Sequence, residues 1–190
     1  LRNFRQLDYN TPGHPEVDQE TGIETTTGPL GQGISNAVGF ALAERIMNAR
    51  FGDELVDHKT YVIASDGDLM EGISHESCAF AGHLNLNKLI VLYDDNGITI
   101  DGETSLSFSE DVEGRFKSYG WNVDQVDGHD MAAVETAIQA AQDSDKPTLI
   151  RCRTTIGYGA PTKSGSASSH GAPLGADDIK GARESYGWSH

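Results

Sequence analysis

Basic residues are scarce: 14 Lys and Arg stand against 29 Asp and Glu, a formal charge of -15. That scarcity excludes a nucleic-acid binder, because phosphate backbones are held by clustered Lys and Arg. Long apolar runs are missing as well, none approaching the roughly 18 residues that a membrane span needs, so no membrane protein is expected. Only two cysteines occur, Cys78 and Cys152, without paired spacing. This excludes a disulfide framework or a cysteine zinc site and fits a reducing, cytoplasmic setting. There is no initiator Met: the chain opens Leu1-Arg2-Asn3-Phe4. No charged stretch followed by an apolar one is present, so no signal peptide is expected, and residues 1–190 read as a single domain cut from something longer. The acidity leaves one constraint on ligands. Any phosphate must be held by backbone amides, a helix N-terminus or a bound cation, not by net charge.

Residues 1–29 are rich in Gly, Pro and Thr, lack periodicity and read as a long loop. From Leu30 to Phe51, apolar residues recur at Ile34, Val38, Ala41, Leu42 and Ile46, which predicts a helix stopped by Gly52. Tyr61 to Ala64 and Leu89 to Tyr93 are short, nearly continuous apolar runs, the pattern of parallel strands covered on both faces. A helical crossover is expected between them over Ser74 to Leu84, with Ser74 as N-cap and Glu76 in the first turn. Val123 to Val126 and Leu149 to Arg153 predict two further strands around a helix from Met131 to Gln142. The alternation implies an α/β fold: a doubly wound, mainly parallel sheet with helices on both faces. Residues 157–175 form a Gly- and Ser-rich loop after a central strand and contain His170. Ligands in such sheets bind beyond the strands' carboxyl ends.

Chemistry concentrates at two of those ends. Ser65-Asp66-Gly67 closes one strand and Asp94-Asp95-Asn96-Gly97-Ile98 the next, with residues 68–94 between Gly67 and Asp95. The Asp66 carboxylate, the Asn96 amide oxygen and a main-chain carbonyl just beyond form an all-oxygen set. Such a set suits magnesium, which keeps few protein ligands and takes the rest from phosphate and water. Asp-Gly and Asn-Gly alone often mark only turns; their spacing here matches the thiamine diphosphate signature. The match departs from it at Ser65, in place of Gly, and at Asp95, in place of Asn. Gly28, Gly31 and Gly33 do not make a dinucleotide fingerprint, since no strand precedes them and Asn36 occupies the position of a further Gly.

Five blocks together resemble the transketolase family, in that family's order: Thr11-Pro12-Gly13-His14-Pro15-Glu16, Thr27 to Gly33, Glu71 to Ser74, Tyr93 to Gly102, and His170-Gly171-Ala172-Pro173-Leu174. The similarity covers nearly the whole chain and implies the thiamine diphosphate-binding fold. It further implies transfer of a two-carbon ketol unit between sugar phosphates. Asp66, Asn96 and the Ile98 carbonyl would bind magnesium, calcium or another divalent cation. Gly67 would admit the diphosphate, and the main chain of Gly28 and Leu30 would meet the aminopyrimidine. His14 would bind donor hydroxyls, and His170 would touch the diphosphate and move a proton, a task suited to imidazole. Glu71 and Glu76 would lie at a homodimer interface, and Arg5 near the channel mouth. His58, His75, His83, His129 and His190 belong to no such block. The glutamate that activates the pyrimidine would belong to a second domain outside these residues. Two alternatives share the metal site: a ketol-transferring enzyme of the dihydroxyacetone synthase kind, and a binding or assembly module inactive alone. The blocks at Thr99 to Gly102 and His170 to Leu174 favour an ordinary transketolase.

Overall fold

The computed structural model describes residues 2–189; Leu1 and His190 lie outside the described residues. After a loop of turns with one isolated bridge, Asp18 to Ile23, helix α1 runs over Gln32–Phe51. There follow β1 (Thr60–Ser65), α2 (Asp66–Met70), α3 (Gly72–His83) and β2 (Leu89–Asp95). A small hairpin, β3 (Ile98–Thr99) and β4 (Gly102–Glu103), precedes α4 (Val112–Ser118), β5 (Asn122–Asp127), α5 (Met131–Gln142), β6 (Thr148–Arg153) and α6 (Ala176–Ser185).

The four long strands form one parallel sheet in the order β1-β2-β6-β5. Alternation along β2 explains the two layers. Leu89, Val91 and Tyr93 enter a core shared with α1, α3 and α4 through Ile34, Val38, Cys78, Ala81 and Phe116. Ile90 points the other way, into a core with Ala137 and Ala141 of α5 and with Ile150 and Cys152 of β6. Strands buried on both faces read as unbroken apolar runs for this reason. Strand β1 is covered on one face only: Val62 and Ala64 are buried, while Ile63 is 83% exposed. No helix of the described residues is long and apolar enough to cross a membrane.

Ser74 is not an N-cap. Helix α3 begins at Gly72 with Glu71 in the cap position, so Ser74 lies inside it and Glu76 beyond its first turn. The Ser74 hydroxyl instead donates to the Asp68 carbonyl at 2.5 Å, tying α3 to the end of α2. At the other end of α3, a Cβ on Gly82 would stand 1.9 Å from the Tyr119 carbonyl oxygen. Trp121 closes that junction, donating to the Cys78 carbonyl at 2.9 Å and meeting Phe116 edge-on at 5.1 Å. Gly82→Ala should therefore destabilise the fold by about 3 kcal/mol, the upper part of the range for overpacked cores. A drop in the thermal unfolding midpoint checks this, and an unchanged midpoint would show that the α3–α4 junction yields freely.

Candidate functional site

Parallel pairing puts Ser65 opposite Asp94, so β1 and β2 end side by side and deliver Asp66 and Asn96 to the same edge of the sheet. Asp66 is buried at the start of α2. Its Oδ1 accepts from the Tyr93 hydroxyl at 2.5 Å and its Oδ2 from the Gly97 N–H at 3.0 Å. Gly97 reaches that position with φ of 72°, a left-handed conformation that glycine adopts without strain. Asn96 is oriented as firmly. Its Nδ2 donates to Asp94 at 3.0 Å and its Oδ1 accepts from the Ile98 N–H at 2.9 Å, while Asp94 is itself held by the Thr154 hydroxyl.

Asp66, Tyr93, Asn96, Gly97 and Ile98 line one cavity of about 520 Å³. Asp95 lines it too, buried between Arg151 at 2.6 Å and Arg153 at 2.8 Å, with Arg151 continuing to Glu113 at 2.9 Å. Asp95 thus has two cationic partners; Asp66 has none among the described residues. Burial pushes the Asp66 carboxyl above its ordinary value, against the pull of Tyr93 and Gly97, and the Asp95 charge adds to the rise. Burial and the bond to Asp66 push Tyr93 up in turn, so its hydroxyl stays a donor. A buried carboxylate without a cationic partner is costly, and a divalent cation would supply the missing charge. The two Asp66 carboxylate oxygens and the Asn96 Oδ1 each accept one of the hydrogen bonds above and have lone-pair capacity left. The donor set fits a hard cation. No cluster of three or more His, Cys, Asp or Glu suited to a metal occurs among the described residues.

A second set of expected residues meets this one from the side. A Cβ on Gly67 would lie 3.1 Å from Leu30 Cδ1, so the segment Gly28 to Leu30 packs directly on the start of α2. His14 packs on the same segment, its Cβ 3.0 Å from where a Gly28 side chain would begin. Arg5 folds its guanidinium against Gly13, beside His14. Not every candidate converges. His14 and His170 do not line the cavity of Asp66 and Asn96. His170 is exposed after a short 3-10 turn, Ala167–Ser169, although Gly165 of its loop does reach the cavity wall. Glu71 and Glu76 are exposed along α3. Sequence reasoning missed Tyr93, whose hydroxyl is hidden inside an apolar strand run. It also missed Asp68, whose partners at Gly31 and Ser65 appear only in three dimensions.

The family model for the transketolase thiamine diphosphate binding domain matches residues 1–190. A transketolase of Cereibacter sphaeroides is 58% identical over 190 residues, covering 100% of this chain and 29% of the relative. The crystal structure of the Campylobacter jejuni transketolase superposes with a TM-score of 0.92 at 47% identity, over 98% of this chain and 29% of that one. A Pichia stipitis transketolase solved in complex with sedoheptulose-7-phosphate gives 0.91 at 47%, over 98% and 28%. The chain therefore spans less than a third of the length of these relatives.

Proposed function

The chain belongs to the transketolase family, and from that premise we propose that it forms the metal- and diphosphate-binding half of a thiamine diphosphate site. The complete enzyme would move a two-carbon ketol unit from a ketose phosphate to an aldose phosphate, in a cytoplasmic setting and as a homodimer. The observation that carries this is the convergence of Asp66, Asn96 and Ile98 on one cavity, with the Gly28 to Leu30 segment packed against Gly67 beside it.

Bound thiamine diphosphate supplies the carbon chemistry, and the protein supplies orientation, proton transfer and electrostatics. Asp66, Asn96 and the Ile98 carbonyl would hold magnesium, and Gly67 would let the backbone approach the diphosphate. The main chain of Gly28 and Leu30 would set the pyrimidine. His170 would touch the diphosphate and move a proton at the reacting carbons. His14 would donate to a donor-sugar hydroxyl, with Arg5 at the channel mouth. Exposed Glu71 and Glu76 would face a second copy of the chain. The sugar phosphate bound in the Pichia stipitis structure indicates the substrate class.

Calorimetric titration of the complete protein with thiamine diphosphate should give binding that depends on magnesium, together with ketol transfer in a coupled assay. Binding without turnover would favour the assembly-module alternative; transfer to formaldehyde in preference to aldose phosphates would favour a dihydroxyacetone synthase. His14→Ala should leave thiamine diphosphate affinity nearly intact and lower kcat/KM for the donor ketose by about tenfold, the loss of one hydrogen bond to substrate. His170→Ala should lower both. An equal loss of cofactor affinity and donor turnover in His14→Ala would assign the Thr11 to Pro15 loop to the cofactor instead.

A further inference from the structure

Helix α1 starts without a cap of its own. Its N-cap is Gly31, which has no side chain to offer, and its first turn carries no acidic residue. The N–H of Gly31, a buried residue, is taken instead by Asp68 of α2, whose Oδ1 lies 3.0 Å away. The other oxygen of the same carboxylate accepts twice from Ser65: from its N–H at 2.9 Å and from its hydroxyl at 2.8 Å. One half-buried carboxylate thus bonds simultaneously to the end of the Gly28 to Leu30 segment and to the residue before Asp66. Ser65 is the position where this chain departs from the glycine of the thiamine diphosphate signature, and the hydroxyl that the departure introduces is a partner of Asp68. Close packing reinforces the joint. A Cβ on Gly31 would meet Ile73 at 2.8 Å and Glu71 at 3.0 Å, and Leu30 lies against Gly67.

We infer that Asp68 is a positioning residue that fixes the distance between the two ends of the cofactor site. It holds the pyrimidine-facing segment against the metal- and diphosphate-bearing turn, with the Ser65 hydroxyl as its third anchor. This rests on the site assignment proposed above. A charged acceptor bonded to a backbone N–H makes a stronger joint than a neutral pair, and a ligand that spans both segments depends on their spacing more than one that uses a single segment.

The test compares two probes on the complete enzyme by calorimetry. Thiamine diphosphate engages both segments, whereas magnesium pyrophosphate engages only the metal and diphosphate turn. Asp68→Ala should weaken thiamine diphosphate by about tenfold or more, the effect of one or two lost charge-assisted hydrogen bonds. Magnesium pyrophosphate should stay within about twofold of wild type in the same experiment. Should Asp68→Ala fail to fold, Asp68→Asn, which keeps one acceptor oxygen, and Ser65→Ala, which deletes only the hydroxyl, should each show the same selectivity with a smaller loss. Equal weakening of both probes, or of neither, overturns the spacing role while leaving the site assignment intact. Wild-type enzyme that takes magnesium pyrophosphate but not thiamine diphosphate, or takes neither, overturns the site assignment and the spacing role with it.

Discussion

Asp66→Ala is expected to abolish magnesium-dependent binding of thiamine diphosphate, with an affinity loss well beyond the roughly 10- to 100-fold typical of a lost outer-shell partner. Asp66 would contribute the only charge to the proposed donor set; Asn96 and the Ile98 carbonyl are neutral. Without it, the diphosphate would face a domain of formal charge -15 with no local cation to offset the repulsion. The two arginines at the cavity cannot substitute, because both are engaged by Asp95. Asp66→Asn separates charge from architecture. It can still accept from one of Tyr93 and Gly97, and it removes a buried carboxylate that has no cationic partner among the described residues, so the metal-free protein should be about as stable as wild type while binding is lost. Asn96→Ala should weaken binding in the same sense. Unchanged cofactor affinity in the complete enzyme carrying Asp66→Ala would remove the metal assignment.

The sheet was legible wherever burial writes itself into composition. Strand β2 is buried on both faces, and its Leu-Ile-Val-Leu-Tyr run located it within two residues of its observed end. Helix α5 matched its expected bounds because its Asp130 cap, which accepts from the N–H groups of Ala132 and Ala133, sits directly before the periodic segment. Local signals failed where elements are short or are held by distant partners. Helix α2 has five residues, too few to show a period. Helix α6 buries only Asp178 and Ala182. Asp178 is held by Thr162, whose N–H and hydroxyl both donate to it at 2.7 Å across the intervening loop. Ser74 misled because serine before a periodic stretch resembles a cap, whereas its hydroxyl serves the previous helix.

Within the site, the juxtaposition of Asp66, Asn96 and Ile98 was readable because strand ends in a parallel sheet concentrate such residues, and their spacing reports the crossover between neighbouring strands. The groups that orient their side chains were not. Tyr93 is separated from Asp66 by the whole crossover and differs from an apolar strand residue only in one hydroxyl. Asp94 and Asp95 are adjacent in sequence yet do unlike work: one turns the Asn96 amide, and the other is neutralised between Arg151 and Arg153. Strand alternation sends neighbours to opposite faces, so equal residues in one motif acquire different partners.

Residues 1–190 on their own are expected to catalyse no ketol transfer at any concentration of thiamine diphosphate and magnesium. Leu30, which packs on Gly67, is 48% exposed, and His14 is exposed beside it. Such exposed groups stay open to water, and electrostatic and proton-transfer effects weaken in a wet site. The resemblance to transketolases assigns the pyrimidine-activating glutamate to another domain, and the solved relatives extend over more than three times the length matched here. The exposed apolar groups on β1 and α1, Ile63, Phe40 and Phe51 among them, add that this chain presents surface suited to burial by further protein. The check is an assay with a ketose phosphate donor and an aldose phosphate acceptor, run with the isolated chain, with the complete enzyme, and with the chain plus the remaining domains supplied separately. Turnover should appear only when those domains are present. Measurable transfer by the pure chain would mean that His14, His170 and the metal-bearing turn suffice for catalysis, and that the division of the site between two domains is wrong.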